Sequence, residues 1–155
     1  MRERGFTLIE MLVVLAMLAV LASAARPLLE LSVQRTREHE LRQALRSLRD
    51  ALDAYKRTAD SGSIALSPED SGYPKSLQQL VDGVTDAKSP NGRRIYFLRR
   101  LPRDPFAPAE LPAAETWGVR AYDSPADDPR PGRDVYDVFS RSERKALDGS
   151  RLKDW

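Results

Sequence analysis

The chain has 155 residues, 25 Lys and Arg against 23 Asp and Glu, a formal net charge of +2 and no cysteine. Close to a third of it is charged with both signs interleaved, which describes a solvated surface and excludes a nucleic-acid footprint; a disulfide scaffold is excluded too. After one apolar span, about 120 residues remain, enough for a single soluble domain with one core.

Arg2 and Arg4 precede Gly5, Phe6, Thr7, Leu8, Ile9 and Glu10, and an apolar run then continues to Ala25, interrupted only by Ser23. Residues 6–25 as a helix cover roughly 30 Å, sufficient for a hydrocarbon core. Glu10 is the exception inside that run. A carboxylate in lipid costs roughly 2.5–3.5 kcal/mol, so it calls for a partner. A secretory signal peptide is the simpler reading, with Ala22, Ser23 and Ala24 as the cleavage site, but Glu10 breaks its apolar core. Charge does not favour either orientation of the span, because Arg2 and Arg4 precede it while Arg26, Arg35, Arg37 and Arg42 follow it.

Helical periodicity continues past the span. Leu41, Leu45, Leu48, Leu52 and Tyr55 fall at alternating spacings of four and three, widened by Ala44, Ala51 and Ala54, and make one stripe. Residues 34–40 are wholly polar and read as a solvated neck between bilayer and domain. The arginines at 35, 37, 42, 46 and 49 interleave with Glu38, Glu40 and Asp50 and are assigned to solvated helix faces. One helix over residues 6–59 is expected, with a kink or local unwinding at Pro27, whose ring removes a backbone donor. Asp60, Ser61, Gly62 and Ser63 end it.

Residues 75–81 read as a short helix with Leu77, Leu80 and Val81 inward, and residues 94–98 as a strand or extended segment. Two prolines break regular structure at 101–106. Residues 116–122 and 134–140 alternate and are the clearest strands; the prolines between them mark a loop. Catalytic residues are not found. There is no cysteine nucleophile, no HExxH, no phosphate-binding glycine loop and no GxSxG, and His39 stands in the neck without partners at ligand spacing.

The segment Gly5-Phe6-Thr7-Leu8-Ile9-Glu10, the following span, Pro27 and the run Leu101-Pro102-Arg103-Asp104-Pro105-Phe106 together resemble type IV pilins, and most of all the major pseudopilins of type II secretion. The resemblance implies an α+β fold, a long N-terminal helix packed on a small antiparallel sheet of about three strands. It divides the chain into a leader at 1–5, a membrane and filament-core half-helix at 6–33 and a periplasmic domain at 34–155. It implies cleavage between Gly5 and Phe6 by a prepilin peptidase and N-methylation of Phe6. It also implies a subunit contact in which Glu10 of one copy pairs with the Phe6 ammonium of another, with Pro27 shaping the helix between. The alternative for Glu10 is snorkelling to the headgroups. Implied partners are copies of the chain itself in a homo-oligomeric filament, minor pseudopilins and an inner-membrane assembly platform. The chain would be single-pass in the bacterial inner membrane and would bind no nucleic acid. The alternatives are a type IV or competence pilin for adhesion or DNA uptake, and a membrane-anchored periplasmic binding or enzymatic domain. Calcium is the one cofactor to weigh. The family binds it after the last strand through aspartates, a serine and carbonyls, whereas here Arg141, Arg144 and Lys145 stand among few acids. A calcium-free loop with Leu147, Leu152 and Trp155 tucked onto the domain is expected. Were calcium bound, Asp134, Asp137, Asp148 or Asp154 would be its ligands.

Overall fold

A computed structural model describes residues 7–155, apart from the side chains of residues 24–28. Helix α1 spans Leu8–Asp60. Thr7 caps it: its hydroxyl accepts the Glu10 amide at 3.3 Å, satisfying one of the first-turn donors. With Glu10 three residues on, Thr7-x-x-Glu10 has the sequence of a capping box. The far end closes as a Schellman motif. Gly62 takes φ +76°, the Ser63 amide donates to the Thr58 carbonyl, and the Gly62 amide donates to that of Ala59. The backbone is helical through position 27, so the expected unwinding there is not seen; the Pro27 side chain lies outside the described residues.

Two compact units divide the chain, one over Met1–Thr36 and one over Arg37–Trp155. In the first, the described apolar side chains from Leu8 to Leu21 are exposed, as is Glu10. Among the described residues no helix is long and apolar enough to cross a membrane, so the span expected at 6–25 is not met there.

The second unit holds the core. Leu41, Leu45, Leu48, Leu52 and Tyr55 are all buried, with Leu48 at 0% exposure, so the stripe faces inward as its spacing requires. Helix α2 (Gln78–Asp82) lays Leu80 into the same core. Strands β1 (Val84–Thr85) and β2 (Arg94–Ile95) pair antiparallel, as do β3 (Trp117–Arg120) and β4 (Asp137–Ser140). The antiparallel β part is thus two two-stranded ribbons and not one sheet of about three strands. Residues 96–98 leave the ladder because the Phe97 and Leu98 amides both turn to the Leu80 carbonyl. Across β3 and β4, Gly118 faces Phe139, and any Cβ at 118 would collide with the Phe139 ring. Trp117 and Val138 point into the core.

The polar neck is shorter than its composition implies. Glu38 is only 5% exposed, and its carboxylate accepts the Leu147 amide at 2.8 Å, so α1 engages the C-terminal loop from Glu38 onward. In that loop Leu152 is buried and Trp155 is partly buried, as expected, but Leu147 is exposed and Ala146 takes the inward position.

Candidate functional site

Of the residues assigned to processing and assembly, Gly5 and Phe6 lie outside the described residues, as does the Pro27 side chain. Glu10 sits in the exposed first turn of α1, among Leu8, Ile9 and Met11, all exposed. The described surface here is an apolar helix face carrying one carboxylate.

The C-terminal carboxylates are not gathered. The Asp134 carboxylate accepts the Tyr122 amide at 2.8 Å and the Ser71 hydroxyl at 2.5 Å. Asp154 pairs with Arg151 at 2.8 Å. Asp148 accepts the Ser150 amide and hydroxyl at 2.9 and 2.6 Å and faces Arg42 at 3.3 Å. Those Ser150 bonds, more than the Arg42 charge, hold its pKa below the ordinary carboxylate value of 3.8. The hydrogen bond to the Asp154 carboxylate, with its negative charge, pushes the Arg151 guanidinium above its ordinary value. Calcium needs six to eight oxygens in one place. No group of three His, Asp or Glu side chains among the described residues is disposed to hold a metal.

The Asp137 carboxylate meets an arginine of α1. The Arg49 guanidinium, rising from α1, donates to Asp137 Oδ1 at 2.8 Å, to the Val138 carbonyl at 3.1 Å and to the Trp155 main-chain oxygen at 2.7 Å. Its planar fork suits several acceptors at once. About two turns earlier on the helix, Arg42 lies over the Trp155 ring, 4.0 Å from its centroid, while the Trp155 indole donates to Ser150 Oγ at 2.7 Å. Lys153 and Glu143 close the loop at 2.9 Å. Of the cations expected there, Arg144 lies over the Phe106 ring, 5.6 Å from its centroid.

Arg49 is therefore not a merely solvated cation, and Arg42, though exposed, rests on the Trp155 ring. Their signal was present, since Glu38, Arg42, Leu45 and Arg49 form one helical row flanking the leucine stripe. Asp104 was also missed. It is 2% exposed, accepts the Ser140 hydroxyl at 2.5 Å and the Phe106 amide at 2.7 Å, and its own amide donates to Thr116. It thereby ties the 101–106 segment to the end of β4.

The family described as the prokaryotic N-terminal methylation motif matches residues 1–25. Type II secretion system core protein G of Klebsiella pneumoniae is 34% identical over 109 residues, covering 68% of this chain and 70% of that protein. The protein of the same name from Aeromonas hydrophila is 31% identical over 109 residues, 68% of each chain. That of Escherichia coli K12 is 29% identical over the same length. No solved structure matches. With a methylation motif at the N-terminus, a long helix carrying a small antiparallel β part, and this identity along two thirds of both sequences, the chain belongs to the family of type II secretion system core protein G.

Proposed function

We propose that the chain is the structural subunit of a type II secretion pseudopilus, a mechanical part and not an enzyme. In this reading a prepilin peptidase cuts after Gly5 and Phe6 is methylated. The subunit waits as a single-pass protein of the bacterial inner membrane with its C-terminal domain in the periplasm. An inner-membrane platform then assembles copies, with minor pseudopilins, into a filament that pushes exoproteins through the outer-membrane secretin. The observation that carries the reading is the exposed apolar face of α1 over Leu8 to Leu21, which needs lipid before assembly and neighbouring subunits after it.

Glu10 has a specific part in this. Cleavage leaves an ammonium group on Phe6, close to the positive end of the helix dipole. Glu10 of an adjoining copy supplies the anion, and methylation adds bulk without removing the charge. Glu10→Ala removes the costly carboxylate, so membrane insertion is expected to be at least as efficient as in the wild type. Filament yield is expected to fall, because the Phe6 ammonium then lacks its partner. Wild-type filaments and secretion from Glu10→Ala would defeat the pairing. Intact-mass analysis of the membrane protein tests the processing itself: the expected chain begins at Phe6 with one added methyl group, and a chain beginning at Met1 or at Ala25 would contradict it.

A further inference from the structure

Away from α1's exposed half and from the C-terminal clamp, three tyrosines meet. Tyr73 and Tyr122 stack with centroids 5.8 Å apart, Tyr136 stands edge-on to Tyr73 at 5.0 Å and to Tyr122 at 5.6 Å. Such offset and edge-on contacts are the favourable arrangements of aromatic quadrupoles. Two of the rings already carry a cation from the chain itself. Lys56 Nζ lies 5.9 Å from the Tyr73 centroid, and the Arg120 guanidinium lies 4.7 Å from that of Tyr136. Tyr122 is 59% exposed and has no cation over it among the described residues.

Tyr122 opens onto a groove of about 690 Å³ whose lining includes four carboxylates, Glu69, Asp70, Asp123 and Asp134, against two cations, Lys75 and Arg133. The two cations pair only loosely, Lys75 at 3.5 Å to the half-buried Asp70 and Arg133 at 3.7 Å to the exposed Glu69. The groove's walls are fixed. Asp134 bridges the Ser71 hydroxyl and the Tyr122 amide, and the Val135 amide donates to the Pro74 carbonyl at 2.8 Å. Gly132 packs against Ala121 so closely that a side chain there would clash. Burial first, and then the neighbouring Tyr136, Asp53, Tyr122 and Asp60, raise the Tyr73 phenol above its ordinary value.

We propose that this groove binds an arginine or lysine side chain carried on a basic segment of another protein, the cation resting on Tyr122 and facing Asp123 and Glu69. Charge complementarity and the two intramolecular precedents on the same ring cluster select a cation over a neutral or acidic ligand. The inference does not depend on which filament the chain builds.

Acetyl-tetraarginine amide, titrated calorimetrically into the full chain in a neutral polyether detergent, is the probe, with acetyl-tetraglutamate amide and chitotriose as comparisons. Saturable binding of the arginine peptide alone is expected. It should weaken about threefold to tenfold in Tyr122→Ala, persist in Tyr122→Phe and decline in Asp123→Asn and with added salt. Near-UV circular dichroism confirms that each variant retains its packed core. No binding of the arginine peptide, equal binding by wild type and Tyr122→Ala, or Tyr122-dependent binding of chitotriose in its place would each overturn the proposal.

Discussion

Leu15 and Leu48 lie on the same helix, in the same backbone conformation, and meet opposite fates. Leu15 is exposed with apolar neighbours around the whole helix circumference, whereas Leu48 is sealed under the domain. What differs is the pattern: the early half is apolar all round, the later half only along one stripe. A stripe can be satisfied by its own chain, because one face of a helix needs one partner layer. An all-round apolar helix exceeds what a domain of this size can cover. The comparison teaches that the core draws on the striped stretch of α1, while the apolar stretch is left for the proposed assembly.

The strongest way to break that comparison is a charge at position 48. Leu48→Asp puts a carboxylate into a fully buried site with no partner and is expected to destabilise the domain by about 3–5 kcal/mol. Leu15→Ala should leave the domain's thermal unfolding, followed by circular dichroism, where it was. Equal melting temperatures for Leu48→Asp and wild type would show that the stripe does not hold the core.

The second test asks whether the later half of α1 also holds the C-terminal loop. Arg49→Ala removes three hydrogen bonds, one of them to a carboxylate. Because the side chain is partly exposed, the expected loss is about 1–2 kcal/mol, discounted for solvent screening. Arg49→Lys should recover little, since an ammonium lacks the planar fork. Arg46→Ala, on an exposed position of the same helix, should shift stability by no more than about 0.5 kcal/mol. Urea unfolding of the three variants measures the difference, and an Arg49→Ala curve superimposed on that of Arg46→Ala would remove the clamp.

Acid should loosen the loop by a smaller amount. Asp148 titrates below its ordinary value of 3.8 in the folded chain, so its contribution is present above that value and is lost as pH falls through the lower, folded one. Trp155 fluorescence followed downward from pH 6 should therefore change only below about pH 4. Asp148→Asn should abolish that change; a transition near neutrality would assign it to another group.

The smallest expected effect is none at all. With Arg49 occupying the oxygens of Asp137, Val138 and Trp155, thermal unfolding in millimolar calcium and in chelator should coincide. A calcium-linked domain would instead gain about 2.7 kcal/mol at a hundredfold excess over its dissociation constant. Stabilisation by calcium and not by magnesium would mean that the aspartates regroup around the ion.

Several features of this protein were legible in the residues alone. The inward stripe from Leu41 to Tyr55 was fixed by spacing, because side chains three and four apart share a helix face whatever they pack against. The helix end at Asp60 was fixed by Gly62, the residue that adopts positive φ without a Cβ penalty. The N-terminal motif of residues 1–25 was equally plain, since peptidase recognition reads local sequence. The strands at β3 and β4 were placed to within a few residues, but their limits were not, because ladder pairing is decided by which amides find partners elsewhere. What only the tertiary structure decided were the long-range polar contacts. Glu38 meets Leu147, Arg49 meets Asp137 and Trp155, and Asp104 meets Ser140, each across tens of residues of intervening chain. A charged residue beside a leucine stripe looks the same in sequence whether it faces water or a returning loop. Periodicity gives the face on which it stands, and the folded path of the rest of the chain gives its partner.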